Sequence, residues 1–129
     1  MGETTTAELR PGGLQSLARA ERPALVIMWS AAAPDRVGEV AALAPGVWIM
    51  GRGGRRAEDE GPRVRFVRQR PNLNEAREPL TDAVISRRQL RLELGDTLEV
   101  RNRGRCPLRV AGRRVKAASL REGDLLELE

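Results

Sequence analysis

Ser86-Arg87-Arg88-Gln89-Leu90-Arg91-Leu92-Glu93-Leu94-Gly95-Asp96-Thr97-Leu98-Glu99-Val100-Arg101 is the stretch whose reading decides the fold. Leu90, Leu92 and Leu94 recur at every second residue, with Arg91 and Glu93 between them. That is the period of a strand with one dry and one wet face. Gly95-Asp96 is a hairpin turn signal, and Leu98 and Val100 resume the alternation beyond it. The sequence therefore predicts an antiparallel pair over 86–94 and 97–101.

Working outward, the same grammar repeats. Residues 24–29 form an apolar run rich in Val, Leu and Ile, and 37–41 alternate after a Pro34-Asp35 turn. Residues 46–50 form another run, ending at Gly51-Arg52-Gly53-Gly54. Residues 63–68 alternate Arg with Val and Phe, which predicts a strand with one wet face. Residues 71–79 carry Pro, Asn and Glu without periodicity and read as a loop. Residues 108–111 and 113–116 flank Gly112 as a second tight hairpin, and Gly123-Asp124 precedes a last strand at 125–128. Nine or ten short antiparallel strands with no long helix are the signature of an all-β sandwich or barrel. Residues 1–22 read as a polar, weakly ordered tail with one or two helical turns at 14–20, and 23–129 as one domain.

Composition narrows the chemistry. Of 129 residues 40% are apolar, enough for one sandwich-sized core. Trp29, Trp48 and Phe66 are the only aromatics, so that core is aliphatic. The chain has no histidine, which removes the commonest general base and metal ligand. Its single cysteine, Cys106, cannot form an intrachain disulfide or a cysteine zinc site, and a lone thiol suits a reducing cytoplasm. No apolar run approaches the ~20 residues of a membrane span, and no signal peptide is visible. Glu58, Asp59 and Glu60 read as a solvated loop, and no nucleophile–base pair is present, so no enzyme, cofactor or metal is expected. The net charge of +5 is almost all arginine, with Lys116 the only lysine. High-GC coding accounts for such a bias; retention of arginine for bidentate anion recognition is the functional alternative. Nucleic-acid binding is disfavoured, because the arginines alternate with acids and lack interleaved aromatics or a recognition helix.

Four segments together, over 23–129, resemble the forkhead-associated (FHA) domain. They are Val47-Trp48-Ile49-Met50 ending in Gly51-Arg52; Ile85-Ser86-Arg87-Arg88-Gln89-Leu90; Val100-Arg101-Asn102-Arg103-Gly104-Arg105-Cys106-Pro107-Leu108; and Val110-Ala111-Gly112-Arg113-Arg114-Val115 followed by Leu120-Arg121-Glu122-Gly123-Asp124-Leu125. Each alone is unspecific; their order and spacing carry the likeness. The second and third are similar to FHA domains at the N-terminus of bacterial sigma-54-dependent transcription activators, where an ATPase module and a DNA-binding module follow. The chain ends where such a domain would end, as a piece of a regulator or as a short separate protein.

The resemblance implies an FHA-type sandwich that binds a phosphorylated protein partner, with phosphothreonine the family's ligand. It implies Arg52 as the phosphate-gripping guanidinium, Ser86 as hydroxyl donor with the Arg87 amide beside it, and Arg88 or Arg105 as rim charge. Cys106 falls where the family has a threonine, and Pro107 near the family's peptide-holding asparagine. Gly51, Gln89, Asn102 and Gly104 are implied as support, with Gln89 in place of the family's bracing histidine. The Cys106-Pro107 departure motivates a second reading, a phosphate-independent docking or self-association domain. Arg103 and Arg105 beside Cys106 would, if close, lower its pKa and make it reactive; the alternative is a small buried side chain at a turn.

Overall fold

The computed structural model describes the backbone of residues 5–11 and the whole of residues 22–129. The deciding hairpin forms as read. β7 (Leu90–Leu94) and β8 (Leu98–Asn102) pair Leu92 with Val100 and Leu94 with Leu98. Gly95 N–H donates to the Thr97 carbonyl at 3.0 Å inside the turn. Leu90, Leu92, Leu98 and Val100 are buried, while Glu93 and Glu99 face solvent. The strand begins at Leu90 and not at Ser86. Residues 86–89 turn instead, because the Ser86 N–H is taken by the buried side chain of Gln89 at 2.9 Å.

β4 (Gly46–Met50) pairs with β7, and β11 (Ala117–Leu120) pairs with β8, giving a four-stranded antiparallel sheet in the order β11-β8-β7-β4. The second sheet contains β1 (Thr5–Pro11), β2 (Pro23–Ser30), β3 (Val40–Ala42), β5 (Val67–Arg70), β6 (Leu73–Ala76), β9 (Leu108–Val110), β10 (Arg113–Val115) and β12 (Leu125–Leu128). Its order is β10-β9-β12-β1-β2-β3-β5-β6. The β9–β10 hairpin turns through Ala111 at φ 50° and Gly112 at φ 79°. Two consecutive positive φ values match the primed turn that suits twisted strands.

Leu25, Ile27 and Ala41 of the larger sheet and Leu90, Leu92, Leu98 and Val100 of the smaller belong to one buried cluster. Leu108, Val110, Leu126 and Leu128 extend it. The chain is thus an all-β sandwich whose core is aliphatic, Phe66 being the aromatic buried within it. Among the described residues no helix is long and apolar enough to cross a membrane.

Four expectations are corrected. Residues 5–11, placed in a tail, lie as a strand between β2 and β12; the helical turns expected at 14–20 fall outside the described residues. Residues 37–39 turn after a short 3-10 segment (Pro34–Arg36), so that strand starts at Val40. Residues 63–66 leave the ladder apart from a bridge of Ile49 with Arg63, because Arg63 and Phe66 both point inward. Residues 71–79 hold β6: Pro71 followed by Asn72 at φ 63° folds β5 back onto it, the turn chemistry of a proline ahead of a left-handed residue.

Candidate functional site

Loops from three parts of the chain meet at one end of the smaller sheet. The first leaves β4 through Gly51. A Cβ on Gly51 would lie 2.2 Å from the Arg87 carbonyl oxygen and 2.5 Å from that of Ser86. Only glycine permits that approach, and it puts the Arg52 N–H 3.1 Å from the Ser86 carbonyl. The second loop, 86–89, meets the third through the Ser86 hydroxyl, whose oxygen accepts the Arg105 N–H at 3.0 Å. Arg52, Ser86, Arg87 and Arg105, separated by up to 53 positions in sequence, are thereby neighbours in backbone terms.

Gln89 holds the arrangement from behind. It is fully buried. Its Oε1 accepts the Ser86 N–H at 2.9 Å, and its Nε2 donates to Asn102 Oδ1 at 2.7 Å and to the Cys106 carbonyl at 2.8 Å. Asn102 Nδ2 donates to that same carbonyl at 2.9 Å, and Asn102 Oδ1 accepts the Gly104 N–H at 3.2 Å. A backbone N–H only donates and a carbonyl only accepts, so both amide orientations are forced. The Gln89 carbonyl takes the N–H groups of Arg103 and Gly104 at 2.9 and 3.1 Å. A Cβ on Gly104 would sit 2.2 Å from Gln89 Oε1, which makes glycine obligatory there. Gly51, Gln89, Asn102 and Gly104 therefore occupy supporting positions.

A second brace is charged, and sequence reasoning missed it. Arg63 is buried. Its Nη1 donates to the Arg87 carbonyl at 2.6 Å and the Arg52 carbonyl at 3.3 Å, while its Nε donates to Asp59 Oδ2 at 2.9 Å. One guanidinium thus ties the first loop to the second. The reading of 58–60 as a solvated charge run is corrected at Asp59 alone; Glu58 and Glu60 are exposed, as expected. The Asp59 side chain is buried on Arg63, Glu58 reaches Arg88 at 3.4 Å, and Glu60 pairs with Arg91 and Arg103. The hydrogen bond from Arg63, then that from the Arg56 N–H, holds the Asp59 carboxyl below its ordinary value of 3.8 against the opposing effect of burial. The available signal was the four-residue spacing of Asp59 and Arg63 across Gly61-Pro62; burial, which makes the pair matter, is not visible in a local pattern.

Arg87 and Arg105 are exposed and Arg52 is half-buried. Among the described residues none of the three has a carboxylate at ion-pair distance, in contrast with Arg88, which lies 3.4 Å from Glu58 and 3.6 Å from Asp59. The Ser86 hydroxyl accepts from Arg105 but donates to no described residue, so its proton is free for an acceptor. The surface is rich in donors and cations, a combination suited to an anion with several oxygens.

Cys106 does not join it. The side chain is 3% exposed and its thiol bonds the Glu129 carbonyl. Burial foremost, then Asp82 and Glu129, pushes its pKa up. Neither ligand contact nor a reactive thiolate fits that environment; the small buried side chain at a turn is the reading that does. No protein-family model, curated protein or solved structure matches this chain.

Proposed function

We propose that this chain is a phosphopeptide-binding module of the forkhead-associated kind. It recognises a phosphorylated threonine on a partner protein, and it is the cytoplasmic regulatory domain of a bacterial sigma-54-dependent transcription activator. The observation that carries the reading is the convergence of the Arg52 and Ser86 loops, with Arg52 N–H on the Ser86 carbonyl at 3.1 Å and Arg105 N–H on the Ser86 hydroxyl at 3.0 Å. A phosphate dianion accepts hydrogen bonds and carries up to two negative charges. Arg52 supplies a guanidinium, Ser86 a hydroxyl proton, and Arg87 and Arg105 add positive field at the rim. The role is binding, without catalysis: the arrangement offers donors on braced loops and no nucleophile activated by a base.

The test is calorimetric titration of the purified chain with a degenerate phosphothreonine peptide library and its unphosphorylated twin. Binding is expected for the phosphorylated library alone, and Arg52→Ala is expected to weaken it by roughly 10- to 100-fold, the worth of a charge-assisted hydrogen bond. Equal binding of the two libraries, or none by a folded chain, contradicts the reading.

One observation favours a second reading, phosphate-independent docking. The third loop turns its polar groups inward, with Asn102 and the Cys106 carbonyl spent on the Gln89 brace, leaving Pro107 where a peptide-holding amide would be wanted. Binding of the unphosphorylated library, or concentration-dependent self-association in light scattering, is the outcome that belongs to it.

A further inference from the structure

A cavity of about 330 Å³ is lined in part by Gly51, Gly53 and Gly54. Its walls mix two chemistries. Val64, Phe66 and Leu80 give it an apolar interior, with Phe66 itself buried in the core. Among the described residues five arginines also line it, against a single carboxylate, that of Glu78. Three of the five are committed to the fold. Arg36 and Arg77 both bond Glu39, at 2.9 and 3.1 Å, and Arg63 bonds Asp59 at 2.9 Å. The other two, Arg55 and Arg65, are exposed and have no carboxylate at ion-pair distance among the described residues. Glu78 does not neutralise them, because it lies 3.8 Å from Arg77.

We infer that this cavity is a binding site for a small organic anion with a flat apolar body, its ring or chain against Phe66, Val64 and Leu80 and its charged end on Arg55 and Arg65. The volume falls at the lower end of the ~300–1,000 Å³ range of ligand pockets, which are typically apolar with a few charged groups at fixed points. Each half of the wall excludes a rival. An inorganic anion would leave Val64, Phe66 and Leu80 unused, and a neutral hydrophobe would leave two unpaired guanidinium groups facing it. The site is independent of the phosphate reading: among the described residues that line it are none of Arg52, Ser86, Arg87 and Arg105.

The probes are naphthalene-2-sulfonate, its neutral counterpart naphthalene-2-methanol, and sodium sulfate, each titrated into the whole chain and followed by backbone amide chemical shifts. Naphthalene-2-sulfonate is expected to move the amides of Gly53, Gly54, Val64, Phe66 and Leu80, at concentrations where the other two move none of them. The double variant Arg55→Glu/Arg65→Glu alters two exposed, unpaired side chains. It is expected to keep the wild-type unfolding temperature and to weaken sulfonate binding by about tenfold or more, as loss and reversal of charge-assisted contacts should. Shifts scattered away from the cavity, none at millimolar probe, equal response to the neutral compound, or undiminished affinity in a folded double variant each overturn the assignment. The shift map of the wild-type chain decides the question if the double variant unfolds.

Discussion

Two braces meet on the 86–89 loop, one tying it to the 102–106 loop and the other to the loop that carries Arg52, and they are built from opposite chemistry. Behind Ser86 stands an amide brace, buried Gln89 with half-buried Asn102, neutral, in which each orientation is dictated by a backbone group. Beneath Arg52 and Arg87 stands a charged brace, Arg63 on Asp59, equally buried on its acid side. A neutral brace offers donors and acceptors that do not titrate. A charged brace forms stronger hydrogen bonds but depends on a carboxylate remaining ionised and on both ions being present. The loops that present Arg52 and Ser86 therefore combine one contact insensitive to pH with one that responds to it.

The comparison can be broken most forcefully at the charged brace. Arg63→Met leaves the Asp59 carboxylate buried without its main partner and frees the Arg52 and Arg87 carbonyls; a loss of about 3–5 kcal/mol is expected in urea unfolding, the usual cost of removing one member of a buried pair. Gln89→Leu leaves the Ser86 N–H and part of the Cys106 carbonyl unsatisfied. It should cost about 1–4 kcal/mol, roughly 1–3 kcal/mol for the orphaned Ser86 N–H and less for the Cys106 carbonyl, which keeps the bond from Asn102, with a parallel fall in melting temperature by scanning calorimetry. Should Gln89→Leu prove neutral, the amide brace is packing and not polarity. Gly104→Ala drives a Cβ into Gln89 Oε1, and an overpacking loss of about 1–3 kcal/mol is expected.

Acid distinguishes the two braces without a large mutation. The carboxyl of Asp59 is held below its ordinary 3.8 in the folded chain. The unfolded chain therefore takes up the proton first, and the contribution of Asp59 to stability is complete above that value. It is lost as pH falls through the depressed folded value. Urea midpoints measured from pH 6 downward should show the wild type losing stability below about pH 4 more steeply than Asp59→Asn. Parallel curves would mean that the carboxylate contributes nothing specific. The smallest effect is expected at the surface: Arg70→Ala removes the exposed pair with Glu75 and should change stability by no more than about 0.5 kcal/mol.

How much was legible follows from whether a residue's role is local. Leu90, Leu92, Leu98 and Val100 announce themselves by alternation, because a strand's face is written at every second position, and all four are buried. Gly112 marks its hairpin for the same local reason. β6 was hidden, since Leu73-Asn74-Glu75-Ala76 carries too little apolar contrast at a sheet edge to show a period. β11, Ala117–Leu120, was hidden likewise by its small residues. In the candidate site Arg52 and Ser86 were reached only through a family likeness, and Gln89 as a brace in the same way. Asp59 and Arg63 escaped because a charge run looks the same whether it is solvated or folded inward; only the approach of Arg87 and Arg52 from elsewhere in the chain gives them a task. Cys106 as a small buried side chain at a turn was legible from its type and place; its membership of the ligand set came only from the family likeness, and its thiol bonds the Glu129 carbonyl instead.

The most direct test of the central claim, that Arg52 and Ser86 serve one anion, is a double-mutant cycle on phosphothreonine peptide affinity with Arg52→Ala, Ser86→Ala and the pair. If both touch the same phosphate, the double variant should lose less than the sum of the two single losses, with a coupling of about 0.5–3 kcal/mol. Strict additivity, or single variants that bind as the wild type does, would contradict the claim.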